Sequence, residues 1–366
     1  MKPLTAQKVM IDSELVPVSD WRSSLASPKT PIRKALEIVD ASACQIVLVA
    51  DEKGCLVGTM TDGDARRGIL RGVSLEESVE CVMQTMPVSA TCQSSPEERL
   101  SKVDPKHIRQ LPILDLEGRI VGLEAFRASR ESSIKENWVV LMAGGVGRRL
   151  MPLTEECPKP LLKVGTKPIL ETILENFAAY GFRKFFFAVC YKDEMLKEYF
   201  SDGSKWGVDI QYLREDSGLG TAGALSLLKR RPKAPLILMN GDLLTKVNFS
   251  QLLDFHYEQK ADVTLCIREY DFQVPYGVVK LHDQRILKLD EKPIQRFFVN
   301  AGIYVLEPSV LKHIPADETF DMPQLLDKLF GLRLHVAAFP IREYWLDIGR
   351  MDDLEKANVD FFRIFK

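Results

Sequence analysis

The chain has 366 residues, 46% of them hydrophobic and 27% charged, with a formal net charge of −2. This is the make-up of a soluble globular protein long enough for two domains. A near-neutral balance excludes a general electrostatic field for nucleic acid or an anionic membrane.

No apolar run reaches the length of a membrane span, and the N-terminal Met1 to Thr5 lacks the apolar core of a signal peptide. The seven cysteines are odd in number and scattered, with no Cys-x-x-Cys pair. They read as free thiols of a cytoplasmic protein, and a zinc site is not expected.

Pro31 to Ala41 has helical apolar spacing through Ile32, Ala35, Leu36 and Val39. Ile46 to Val49 reads as a buried strand, Asp51 to Gly54 as a turn, and Leu56 to Met60 as the hairpin partner. The pattern returns as the strand Leu111 to Leu114, the turn Asp115 to Gly118 and the partner Ile120 to Leu123, so an internal duplication is expected. The segment closes near Glu131 to Asn137.

The stretch Gly58-Thr59-Met60-Thr61-Asp62-Gly63-Asp64 resembles the Gly-x-x-Thr-x-x-Asp signature of CBS domains, and the likeness to a CBS-domain pair covers roughly Pro3 to Arg130. The resemblance implies an adenine nucleotide held by Thr61 at a phosphate and Asp64 at the ribose hydroxyls, and a homo-oligomer formed through the pair. In the second repeat Ala125 and Ala128 stand where Thr and Asp belong, so one such site per chain is expected.

Beyond the boundary, an apolar run from Val139 to Met142 breaks into Ala143-Gly144-Gly145-Val146-Gly147-Arg148-Arg149-Leu150, followed by Pro158-Lys159-Pro160. Glycines let backbone N–H groups turn onto a polyphosphate, and the cations supply its countercharge. The dinucleotide fingerprint is excluded because Leu150 holds the place of its third glycine. The P-loop is excluded because no Gly-Lys-Ser/Thr triplet follows. Further on, a helix is expected from about Pro168 to Tyr180, stopped by Gly181, and strands at Phe185 to Val189, Pro235 to Met239 and Val263 to Ile267. A last helix runs from Asp352 to Phe362. The alternation predicts a parallel-rich α/β sheet with ligands at the carboxyl ends of its strands.

Leu141 to Leu161 resembles the signature of the sugar-1-phosphate nucleotidyltransferases, with Arg148 where that family usually has Thr. The resemblance implies a Rossmann-like mixed sheet over residues 133–366, preceded by the CBS pair over 1–132. It implies a reaction of an NTP with a sugar 1-phosphate, giving an NDP-sugar and pyrophosphate. Mg²⁺ would sit on Asp242, in Asn240-Gly241-Asp242, and on Asp347, in Trp345-Leu346-Asp347. Arg149 and Lys159 would join these two as catalytic groups. Leu141, Ala143, Gly144, Gly145, Gly147, Arg148, Glu215 and Gly220 would hold the nucleotide, Gly220 giving room for the base. Gly277, Glu291, Lys292 and Asn300 would hold the sugar phosphate.

GTP is the favoured nucleotide, with UTP, CTP and dTTP open. An amino sugar such as glucosamine 1-phosphate is the favoured acceptor, and bacterial surface-sugar synthesis the setting. The competing class is a non-catalytic nucleotide sensor.

Overall fold

The computed structural model describes residues 14–42, 44–104, 108–127, 134–316 and 318–365. Met1 to Thr5, Ala128 and the first part of the Glu131 to Asn137 boundary lie outside these described residues. The chain divides into two units, Met1–Glu131 and Ser132–Lys366.

In the first unit the order is β1 (Glu14–Pro17), β2 (Leu25–Ala26), α1 (Ile32–Ala41), β3 (Ile46–Ala50), β4 (Leu56–Thr61), α2 (Asp62–Leu70), β5 (Ala90–Thr91), α3 (Pro96–Ser101), β6 (Gln110–Leu114) and β7 (Ile120–Arg127). They form two sheets, β2-β3-β4 and β1-β7-β6-β5. The sheets repeat one plan. β2 is parallel to β3 and β3 antiparallel to β4, as β5 is to β6 and β6 to β7. Each hairpin slips register at the same place, between Val49 and Ala50 and between Ile113 and Leu114.

Each turn has the same chemistry. Asp51 Oδ1 accepts from the N–H groups of Lys53 and Cys55, at 2.9 and 2.8 Å. Asp115 Oδ1 accepts from those of Glu117 and Arg119, at 3.0 and 2.8 Å. Gly54 and Gly118 share a φ of +81°, a left-handed position that favours glycine.

The repeats part where the signature parts. Thr61 caps α2, its hydroxyl accepting from the Asp64 N–H while the Asp64 carboxylate accepts from the Thr61 N–H. Ala125 has no hydroxyl to cap a helix, and β7 runs on past it, pairing with β1 through Val16↔Ala125 and Leu15↔Phe126.

The second unit holds β8 (Lys135–Met142), α4 (Leu153–Glu156), β9 (Lys163–Val164), β10 (Lys167–Pro168), α5 (Ile169–Ala179), β11 (Phe182–Val189), α6 (Asp193–Phe200), β12 (Asp209–Arg214), α7 (Gly220–Gly223), β13 (Leu236–Asn240), β14 (Leu243–Thr245), α8 (Phe249–Gln259), β15 (Val263–Gln273), β16 (Val278–His282), β17 (Arg285–Asp290), β18 (Ile294–Leu306), α9 (Met322–Gly331), β19 (Val336–Ile341), β20 (Trp345–Asp347) and α10 (Met351–Ile364). Seven strands form one sheet in the order β12-β11-β8-β13-β18-β15-β19. Only β18 runs antiparallel, against both β13 and β15. Val139, Leu141, Phe185, Phe187, Ile237 and Met239 face one core, where Phe177 of α5 stacks on Phe249 of α8. Val140, Phe186 and Leu238 face a second core with Met322 and Leu325 of α9. Burial on both faces is why these strands are near-continuous apolar runs.

β8 lies between β11 and β13, and the chain leaves it first towards β11 and only later returns to β13. That reversal opens a crevice at the carboxyl ends of β8 and β13. Both the glycine loop and Asp242 emerge there.

Candidate active site

The glycine loop begins where the core ends. Leu141 and Ala143 are 0% and 1% exposed, so only their backbones can meet a ligand. Ala143 N–H still donates to Ala188 O across the sheet, at 2.8 Å. Among the described residues none accepts from the N–H groups of Gly144, Gly145 or Val146. Free N–H groups in a loop between strand and turn are what an anion needs.

A β-carbon on Gly144 would lie 3.2 Å from Cys190 Cβ and 3.3 Å from Glu215 Oε1, whereas Gly145 opens onto free space. Gly147, at φ +70°, is clamped: a β-carbon there would lie 2.8 Å from Thr154 Cγ2, and the Thr154 hydroxyl donates to Gly147 O at 3.1 Å. Leu150 is fully buried and pins the turn Arg148–Leu150, leaving Arg148 and Arg149 exposed.

The carboxylates meet through a two-stranded ladder. β14 and β20 pair antiparallel, Leu243 opposite Asp347, and Ile348 N–H donates to Asp242 O at 3.1 Å. Gly241 makes the approach possible, since its N–H donates to Met142 O and a β-carbon there would lie 2.6 Å from that oxygen. Lys159 Nζ pairs with Asp242 Oδ2, its side chain only 10% exposed. Asp242 Oδ1 is buried and has no hydrogen-bond partner. Arg149 closes the group: its guanidinium packs against Gly349, 3.4 Å from where a β-carbon would stand.

The Asp347 surface stays open to the crevice, yet the group sits deep among protein atoms. This desolvation, and then the like charge of Asp242, pushes its carboxyl above the ordinary range, while Lys159 and Arg149 pull it back.

The structure brings Glu215 to the glycine loop. Burial pushes its carboxyl up, and Oε2 accepts from the Leu219 N–H at 2.6 Å. Gly220, at φ +79°, makes room for protein: a β-carbon there would lie 2.7 Å from Asp321 Oδ1 and 2.8 Å from Phe320 O. Asp321 is a residue that sequence reasoning missed. It caps α9 and accepts from the Thr221 N–H at 2.8 Å. The cap was legible in Asp321-Met322-Pro323-Gln324, but its distant partner was not. Thr154 was missed too, since a lone Thr in a turn carries no signal of its clamp on Gly147.

The sugar-phosphate candidates lie on, or at the root of, an exposed extension of the sheet. From Glu269 of β15 to Phe298 of β18 the two strands form a ribbon of mostly exposed residues, and β16 and β17 form an exposed hairpin between them. A β-carbon on Gly277 would lie 3.0 Å from Glu291 Oε2, so those two are neighbours. Lys292 stands exposed at φ +45°. Asn300 sits at the root of the ribbon, its Oδ1 accepting from Gly302 N–H and its Nδ2 donating to Tyr304 Oη at 2.6 Å. Among the described residues no hydrogen bond or ion pair links Gly277, Glu291 or Lys292 to Lys159, Asp242 or Asp347. Among the described residues, likewise, no three His, Cys, Asp or Glu side chains converge on a metal cage, and no helix is long and apolar enough to cross a membrane.

Free loop N–H groups, a buried lysine and two neighbouring carboxylates thus stand at the switch point of a parallel-rich α/β sheet. The chain belongs to the nucleotidyl transferase family, whose model matches residues 138–363. It is similar to the mannose-1-phosphate guanyltransferase of Yarrowia lipolytica, 34% identical over 226 residues, or 58% of this chain and 61% of that one. It is also similar to the mannose-1-phosphate guanylyltransferase of Mycobacterium tuberculosis, 32% identical over 240 residues, or 61% of this chain and 64% of that one. The chain thus spans under two thirds of these relatives. Among solved structures, HddC from Yersinia pseudotuberculosis matches with a TM-score of 0.50 and 25% identity, over 62% of this chain and 99% of that one.

Proposed function

We propose that the second unit transfers a nucleotidyl group from an NTP, GTP first, to a sugar 1-phosphate, releasing pyrophosphate. The observation that carries this reading is the buried, unpartnered Asp242 Oδ1 beside Asp347, with Lys159 on the other Asp242 oxygen. Two carboxylate oxygens fit a hard cation that takes its remaining ligands from phosphates and water, which is how Mg²⁺ is usually held. Such an ion, when bound, would neutralise phosphate charge and make the α-phosphorus more electrophilic.

The chain's own groups would do the rest. The free N–H groups of Gly144 to Val146 and the Arg149 guanidinium hold the β- and γ-phosphates. Lys159, fixed by Asp242, meets charge that develops at the α-phosphate. Glu215 and the segment from Leu219 border the nucleoside. Gly277, Glu291, Lys292 and Asn300 place the acceptor. A sugar-phosphate oxygen attacks the α-phosphorus as the bond to the pyrophosphate oxygen breaks. The acceptor is already ionised near neutral pH, so no general base is required, and positioning dominates.

The relatives' names favour GTP. Glucosamine 1-phosphate is the proposed acceptor for a surface-sugar route, with mannose 1-phosphate the acceptor that the relatives' names carry. Pyrophosphate release over GTP, UTP, CTP and dTTP, crossed with glucosamine, mannose and glucose 1-phosphates, tests the reading. Release with GTP and one acceptor supports it. No release with any pair, while GTP still binds, would favour a nucleotide sensor.

For the first unit we propose a CBS-domain pair that binds one adenine nucleotide and joins copies of the chain. The support is the duplicated plan, with Thr61 and Asp64 intact in one repeat only. Such a ligand could alter activity only by binding two arrangements of the pair unequally. Calorimetry of the full chain with AMP, ADP and ATP tests this. Heat of binding that survives Asp64→Ala, or no heat at all, would leave a scaffold.

A further inference from the structure

One cavity of the second unit takes no lining residue from the glycine loop, Lys159, Asp242 or Asp347. It is about 770 Å³, and its lining includes Trp138, Lys184, Phe186, Asp209, Lys229 and Arg230. That volume lies within the range of small-molecule sites. Trp138, Lys184 and Asp209 stand in register across β8, β11 and β12, near the strands' amino ends. The glycine loop follows Met142 at the other end of β8. The lining also runs to Leu213 and Arg214 at the carboxyl end of β12, but no residue proposed for the reaction is part of it.

The floor is aromatic. The Trp138 and Phe186 rings lie side by side, centroids 4.6 Å apart and tilted by 36°. The walls are cationic. Lys184, Arg214, Lys229 and Arg230 line the cavity against one carboxylate, Asp209. Among the described residues Lys184, Lys229 and Arg230 have no ion-pair partner. Lys229 and Arg230 open the run Lys229-Arg230-Arg231-Pro232-Lys233, which follows the short turn after α7.

We infer that this cavity is a second binding site, for a nucleoside diphosphate. A planar ring stacks over Trp138 and Phe186, where an aromatic floor has its use. Two phosphates, with about three negative charges near neutral pH, meet the unpartnered cations. Asp209 and Gln211, side by side with this floor, supply acceptors and donors for ribose or base. Bare phosphate would leave the rings without a role, and an uncharged ring would leave the cations without one. The site takes no group from the proposed catalytic set, so it stands whether or not that reading does.

Indole fluorescence during titration with GDP and with ADP tests it. The signal assigned to the site is the part lost in Trp138→Phe, which sets aside the other tryptophans. Expected is a saturable, Trp138-dependent quench by at least one of the two. Its Kd should rise at least tenfold in Lys229→Glu and Arg230→Glu, which alter exposed side chains, and stay within twofold in Asp347→Asn. Absence of a Trp138-dependent quench at millimolar GDP and ADP overturns the inference. So does a Kd unchanged by both charge reversals. So does inorganic pyrophosphate competing as strongly as GDP and ADP, because the ring would then contribute nothing. Tighter binding of an RNA oligonucleotide than of either nucleotide, lost in the same variants, would make the surface a nucleic-acid contact instead.

Discussion

The groups proposed for the nucleotide and those proposed for the acceptor are built in opposite ways. Of the first, Lys159 has a side chain 10% exposed and an anionic partner in Asp242. Of the second, Lys292 is exposed, and among the described residues no ion pair holds it. Asp242 and Asp347 are held by strand pairing at the edge of the core, while Glu291 joins a hairpin to a ribbon in which Tyr270, Ile286, Leu289 and Phe297 are about half exposed or more. Groups that meet a change of charge are fixed in advance, which is where electrostatic stabilisation is strongest. Groups that only place a ligand can be fixed by the ligand itself, at a cost in ordering entropy.

The largest effect should come from breaking the rigid side. Asp242→Asn is expected to cut turnover by about a hundredfold or more, a loss of ~3 kcal/mol, in a pyrophosphate-release assay at saturating Mg²⁺. Wild-type turnover would remove Asp242 from the chemistry. The two lysines sharpen the contrast. Lys159→Ala should lower kcat, because its contact strengthens in the transition state. Lys292→Ala should raise the sugar-phosphate KM with kcat nearly unchanged. The reverse split would exchange the two roles.

Stability gives a smaller contrast, readable as Tm without substrate. Asp242→Asn strips a mostly buried ammonium of its anion and should lower Tm by about 5 °C, for a loss of ~2 kcal/mol. Asp347→Asn should raise it by about 1–3 °C, through relief of desolvation and of repulsion from Asp242. The sign follows from linkage. The folded carboxyl titrates above its ordinary 3.8, so the fold binds its proton more tightly than the unfolded chain does. The fold therefore loses stability as pH rises from 3.8 through the raised value, and Asn removes that loss. A fall in Tm for Asp347→Asn would refute the assigned strain.

A last effect is confined to low pH and lies at the amino end of β15. His256 is 1% exposed, its Nδ1 lies 2.8 Å from Thr264 Oγ1 of β15, and burial pushes its pKa down to about 4. The imidazole is therefore neutral, and its 3.4 Å contact with Glu307 is no charged pair near neutral pH. A depressed histidine makes the fold lose stability as pH falls from 6.5 to about 4, by at most ~3 kcal/mol. His256→Gln should flatten urea-unfolding stability across that window. A slope that persists would place the titration elsewhere.

Much of this was legible in sequence because it rests on local rules. The apolar run Phe185 to Val189 falls within β11, the run Pro235 to Met239 meets β13 from Leu236 onward, and α5 ends just ahead of Gly181 at φ +89°. The turns at Asp51 and Asp115 carry the same signal and the same hydrogen bonds. What local rules do not carry is pairing across long separations. Strand Val263 to Ile267 was legible, but its extension to Gln273 exists only because β18 pairs with it. Leu243 opposite Asp347, Gly220 against Phe320 and Thr154 against Gly147 are likewise contacts of the folded chain. So is the aromatic and basic cavity, whose Trp138, Asp209 and Arg230 come from three separate segments.

The central claim is that Asp242 and Asp347 act as one cation-holding pair. A double-mutant cycle in Mg²⁺-dependent pyrophosphate release, with Asp242→Asn, Asp347→Asn and both together, tests it most directly. If the pair holds one ion, each single variant loses about a hundredfold or more, and the double variant falls no more than about tenfold below the worse single. Losses that multiply in the double variant, or a single variant that turns over like the wild type, would contradict a shared ion.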